Sequence, residues 1–137
     1  MQTAFRHAAF LLAALGLAGC VDETPDPVPT GAEDFASFCA SCHGATGVGD
    51  GEVAASLGAR PADLTGLSRR NGGTFPSTAV MAQIWGYTGG KDGERVMPEF
   101  ASLLDGQFVP YDGGDGIMTP TPIRLVQLAE YLKTLQK

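Results

Sequence analysis

The sequence predicts an all-α domain of about four to five helices, and three stretches carry that prediction. At Thr30-Gly31-Ala32-Glu33 a threonine is followed three residues later by a glutamate, the signature of a capping box. Phe35, Phe38, Cys39 and Cys42 then recur at i, i+3, i+4 and i+7, as on one face of a helix that ends near His43-Gly44. Ser77 precedes a run to Tyr87 in which Val80, Met81, Ile84 and Trp85 form a broad apolar face. Thr121-Pro122 supplies an N-cap and a first-turn proline for the strongest helical pattern of the chain, with Ile123, Val126, Leu128, Ala129, Leu132 and Leu135 in apolar register.

The first of these helices carries chemistry. Cys39-Ala40-Ser41-Cys42-His43 is a C-x-x-C-H motif, which offers two thiols one helical turn apart and an imidazole beside them. Two thiols so spaced can each form a thioether to a vinyl group of one porphyrin, and His43 then falls beneath the iron as its proximal ligand. The motif therefore predicts one covalently attached haem. A structural zinc site would need four Cys or His ligands, and a thioredoxin-like redox motif would sit in a βαβ pattern. Nothing around the cysteines alternates like buried strands, and beyond Cys20 the neighbourhood offers no further ligand.

With the Gly44-Ala45-Thr46-Gly47-Val48-Gly49-Asp50-Gly51 run that follows it, this pentapeptide resembles the haem-binding stretch of class I monohaem c-type cytochromes. The resemblance is firm from Cys39 to Leu64 and looser to the C-terminus. It implies a cytochrome c-like fold wrapped around the haem, with the last helix packed across the first. Val96-Met97-Pro98 resembles the Met-Pro segment that supplies the distal iron ligand, which points to Met97, with Met81 and Met118 as rivals. In Arg60-Pro61-Ala62-Asp63 the resemblance makes Pro61 a candidate to offer its carbonyl to His43, the alternative being an ordinary turn proline. Arg60 is a candidate partner for a haem propionate or a solvated loop residue, and Trp85 is assigned to core packing. A thioether opposite a histidine raises the haem potential and leaves no open site, so the reading is an electron carrier and not an enzyme. Two others stand beside it: the electron-entry subunit of a periplasmic dehydrogenase or oxidase, and a haem-based sensor or peroxidase-like enzyme with an open iron.

Residues 1–19 read as an export signal, with Arg6 ahead of an apolar run from Ala8 to Leu17 that is too short to span a bilayer. Leu17-Ala18-Gly19-Cys20 resembles a bacterial lipoprotein box, which implies lipidation of Cys20 and anchoring to a bacterial membrane, facing the periplasm or cell exterior. Residues 20–31, with three prolines and three acids, read as a lipidated flexible tether, and 32–137 as the single domain. Removing the signal takes His7 with it, so His43 becomes the only histidine and bis-histidine ligation within one chain is excluded. With 19 glycines and 9 prolines in 137 residues, the domain is loop-rich, and an enclosed cofactor would add the apolar contacts it lacks. A formal charge of −6 excludes a nucleic-acid surface and predicts redox protein partners with a basic docking surface. Residues 107–120 are expected to form a surface loop; their acidic run lacks the length and closing glutamate of a calcium loop.

Overall fold

The computed structural model describes residues 27–88 and 97–137. The expected signal peptide, Cys20 and most of the tether lie outside the described residues, as does the 89–96 turn.

The Thr30 capping box forms as the sequence predicts. The Thr30 hydroxyl accepts the Glu33 N–H at 3.3 Å, and Glu33 reaches back to the Thr30 N–H at 2.7 Å, so two orphan donors at the helix start are satisfied. Helix α1 (Gly31–Phe38) follows directly on that cap. The backbone steps at Cys39 and resumes as α2 (Ala40–His43), with the His43 N–H bonded to the Cys39 carbonyl at 2.8 Å. A glycine-rich loop with a 3-10 turn at Ala54–Ser56 leads to a second such turn at Leu64–Gly66, which runs into α3 (Leu67–Arg70). Helix α4 (Ser77–Trp85) stops at Gly86, whose φ of 106° is the left-handed conformation that glycine adopts without strain. Ser77 does not cap it: Pro76 holds the cap position and Ser77 is buried in the first turn. Helix α5 is short (Ala101–Leu104), and α6 (Ile123–Thr134) is the longest among the described residues.

The chain is not all-α. Residues expected to be a surface loop form an antiparallel hairpin, β1 (Phe108–Asp112) and β2 (Met118–Pro122), which makes the fold mixed α/β, with six α-helices among the described residues. The register pairs Val109 with Thr121, Pro110 with Pro120 and Tyr111 with Thr119. A proline cannot donate, so the Pro110–Pro120 pair must be one of the non-hydrogen-bonded pairs of the ladder. The Ile123 N–H to Gln107 carbonyl bond, 2.8 Å, fixes the same alternation one step beyond the hairpin's end. Prolines 110, 120 and 122 therefore sit where backbone nitrogens point to the open edges, which is the one place in a ribbon where a missing N–H costs no ladder bond.

The core gathers Phe35 from α1, Ile84 from α4, Leu104 from α5, and Leu125, Leu128 and Leu132 from α6. Helix α6 crosses α1 at Gly31, where a Cβ would lie 2.0 Å from the Gln127 carbonyl oxygen, so only glycine admits this approach. Beside the crossing, buried Asp34 accepts both Nε (3.1 Å) and Nη2 of Arg124, while Nη1 of the same arginine donates to the Leu103 carbonyl. Three helices thus share one guanidinium, and the geometry is the bidentate fork that arginine alone supplies. No helix of the described residues is long and apolar enough to cross a membrane.

Candidate functional site

Between α1–α2, the glycine-rich loop, α4 and the 97–100 segment lies a cavity of about 550 Å³. Phe35, Leu64, Val80, Ile84, Phe100 and Leu132 give it apolar walls, and its volume falls in the ~300–1,000 Å³ range of small-molecule sites. Cys39, Cys42, His43, Arg60, Pro61 and Met97 all line it.

The side of the cavity that bears His43 is set by backbone hydrogen bonds. The loop after α2 doubles back so that the Gly49 N–H meets the His43 carbonyl at 2.7 Å, the Gly51 N–H meets that of Cys42 at 3.1 Å, and the Val53 N–H meets that of Ser41 at 3.1 Å. Gly49 has a φ of 82°, and a Cβ there would lie 2.4 Å from the Pro61 oxygen. The loop can be this close only because it is bare. His43 Nδ1 lies 2.9 Å from the Ala62 carbonyl oxygen. A carbonyl only accepts, so Nδ1 carries the proton and Nε2 keeps the lone pair that a metal needs. That partner is Ala62 and not the expected Pro61. The Pro61 carbonyl faces Gly49 instead, one residue out of phase with the imidazole.

Cys39 and Cys42 are half-buried and unpaired. Burial pushes the Cys39 thiol up to about 12, with the charges of Asp34 and Cys42 adding to the shift, so the unmodified thiol is neutral at pH 7. Arg60 is exposed at the rim of the cavity.

On the other side, Met97 is half-buried and its sulfur lies 3.9 Å from Gln83 Nε2, which donates to it. The Thr88 hydroxyl donates to Gln83 Oε1 and so fixes which end of the amide faces the sulfur. Neither rival methionine lines the cavity: Met81 packs against the core, and Met118 is 61% exposed on β2. Trp85 also packs against the core and not on the cavity. Gln83 is the site residue that sequence reasoning missed. The signal was its spacing, since Ala79, Val80, Gln83 and Ile84 share one helix face and Gln83 is the single polar side chain among them.

Among the described residues no group of three or more His, Cys, Asp or Glu side chains gathers as a metal site. In the hairpin turn, one Asp112 oxygen accepts the N–H groups of Gly114, Asp115 and Gly116, which commits it to the turn. No family of known proteins, no curated protein and no solved structure matches the chain.

Proposed function

We propose that the protein carries one covalently attached haem c and relays single electrons between redox proteins, tethered by a lipid on the outer face of a bacterial membrane. One observation supports this reading above the others. Cys39, Cys42, His43 and Met97 were each singled out by sequence for a haem role, and all four line the same apolar cavity. Two thiols, an imidazole with Nδ1 bonded to a carbonyl and a thioether on a separate segment fit the donor set of a His/Met haem c.

Cys39 and Cys42 would hold the macrocycle through thioethers, His43 and Met97 would bind the iron from two sides, and Arg60 at the rim would pair with a propionate. The bound group supplies a one-electron Fe(III)/Fe(II) couple. The chain's own part is to exclude water with the apolar walls, to orient His43 through the Ala62 carbonyl, and to hold the Met97 sulfur against the Gln83 amide. With His43 and Met97 both holding it, the iron would keep no open position for a substrate. The apolar run 8–17 and Leu17-Ala18-Gly19-Cys20 support export and lipid attachment at Cys20, and the charge of −6 supports partners with basic docking surfaces.

The test is covalency. The protein exported from a host that attaches haem should keep its haem through acid–acetone extraction, and the Cys39→Ser/Cys42→Ser double variant should lose all of it to the organic phase. Extraction of haem from the unaltered protein would sink the reading. Rapid carbon monoxide binding by the reduced protein would replace the carrier with an open-iron enzyme or sensor. An exported Cys20→Ser variant should be soluble; if it stays with the membrane, the anchor is not the lipid.

A further inference from the structure

The hairpin has two unlike faces. Tyr111 on the inner face donates to Glu130 at 2.6 Å and accepts from Lys133 at 3.0 Å, which fastens β1 to α6. On the outer face, residues directly opposite in the register share one side, which puts Phe108, Pro110, Asp112, Met118 and Pro120 together, with buried Pro122 opposite Phe108 where the strand runs into α6. All five are exposed, Phe108 by 53% and Met118 by 61%, and Ile117 at the end of the turn is 63% exposed. A continuous apolar strip of this kind is costly to leave in water and marks an interaction surface.

Its electrostatic frame is one-signed. Asp112 sits on the strip opposite Met118, Asp115 lies at the turn and binds the Ile117 N–H at 2.9 Å, and exposed Asp105 lies three residues ahead of Phe108. From Met97 to Ile123 the chain holds no lysine or arginine. The edges are blunted at the same time. Prolines at 110, 120 and 122 remove three of the six outward N–H groups through which another strand would add, which favours the face as the way in.

We propose that this outer face, Phe108–Pro110–Pro120–Met118 with Asp105, Asp112 and Asp115 around it, docks a partner protein presenting an apolar spot flanked by lysine or arginine side chains. A second copy of this acidic chain would meet it with like charge. The surface is separate from the cavity, since none of Phe108, Pro110, Met118 and Pro120 lines it, although the turn rests on α4 through the Thr78 hydroxyl, which donates to the Gly113 carbonyl at 3.4 Å. The inference therefore goes beyond haem binding and stands or falls without it.

The experiment places a photoreactive benzophenone amino acid at Ile117 of the full chain in its native membrane, with the same group at Arg69 in α3 as the control. The expected result is one protein conjugate from position 117 and not from 69, with basic residues flanking apolar ones in the linked partner peptide. Its yield should fall several-fold in Asp112→Asn/Asp115→Asn, in Phe108→Ser, and on raising the salt from 0.05 to about 0.5 M, where the screening length shrinks to a few ångströms. All the substituted side chains are exposed, and asparagine at 112 and 115 keeps the oxygen that accepts the turn's N–H groups, so these variants remove charge and not the turn. A conjugate with a second copy of this chain or with lipid, a yield indifferent to the two aspartates, or no conjugate at 117 would each overturn the proposal.

Discussion

The two sides of the cavity are built differently. The His43 side is held by the backbone: three hydrogen bonds return the glycine loop onto residues 41–43, and a fourth, Leu64 N–H to the Gly47 carbonyl at 2.7 Å, closes it. On the Met97 side the sulfur receives one long side-chain contact from Gln83, and the backbone is tied by the Phe100 N–H to Ile84 carbonyl bond at 3.1 Å. Backbone bonds fix a loop at the cost of demanding glycine, whereas a side-chain contact leaves both the segment and its partner freer to change. The His43 imidazole is thus fixed, and the Met97 thioether is the group whose position is adjustable.

The largest effect should come from the ion pair that ties α1 to α6 and, through Leu103, to α5. Asp34→Asn leaves the Arg124 guanidinium, which also grips Leu103, without its buried counter-charge, and should cost about 3 kcal/mol, the low end for breaking a buried pair. Denaturant unfolding measures it; a loss under about 1 kcal/mol would mean the helices hold each other without the pair. Next comes Gly49→Ala, expected to cost about 2 kcal/mol through a left-handed backbone and the approach to Pro61. If this variant is as stable as the parent, the His43 side is softer than described here. Met97→Ala should cost only about 1 kcal/mol, because the side chain is half-buried, and yet abolish the weak long-wavelength sulfur-to-iron band of the oxidised haem protein. Met81→Ala and Met118→Ala should keep that band. Its loss in Met118→Ala instead would move the ligand to the hairpin.

The smallest effect concerns pH. Backbone donors at Gly114 and Gly116, with Asp115, hold the Asp112 carboxyl below the ordinary aspartate range. A depressed acid contributes stability above its unfolded value, about 3.9, and loses it as pH falls through the lowered one. The Gly114 and Gly116 amide resonances should therefore be steady from neutrality to about pH 4 and shift only below it. Movement already between pH 6 and 5 would assign the turn's order to another group.

Local signals were legible in the sequence, and relations between distant residues were less so. The Thr30 capping box, the apolar stripes of α4 and α6 and the C-x-x-C-H motif are short-range patterns, and each of those helices forms. The hairpin was hidden by its own prolines, since a proline within a run argues against a strand unless its nitrogen faces an open edge, and that depends on register. With Phe108, Val109 and Tyr111 next to an Asp-Gly-Gly-Asp-Gly turn, the composition was already that of a hairpin. The Ala62 carbonyl could not be told from that of Pro61 without the loop's exact path. Asp34 left a faint trace, as a lone acid in the 31, 34, 35, 38 stripe of α1, but its partner lies 90 residues away.

The Gln136 side chain has a consequence for the order of assembly. Its oxygen accepts the Ser68 N–H at 2.8 Å and its nitrogen donates to the Leu64 carbonyl at 2.9 Å, while the Lys137 N–H reaches the Thr65 carbonyl at 2.9 Å. Residues that follow α6 therefore fasten the segment that leads away from the His43 loop, and Leu132 of α6 lines the cavity. A chain that emerges from its N-terminus displays Cys39 and Cys42 on an early local helix while the wall that will cover them does not yet exist. On the proposed function, the window for modifying those thiols would open during emergence and narrow as α6 docks, so that closure, a long-range event, would follow the chemistry at the cysteines.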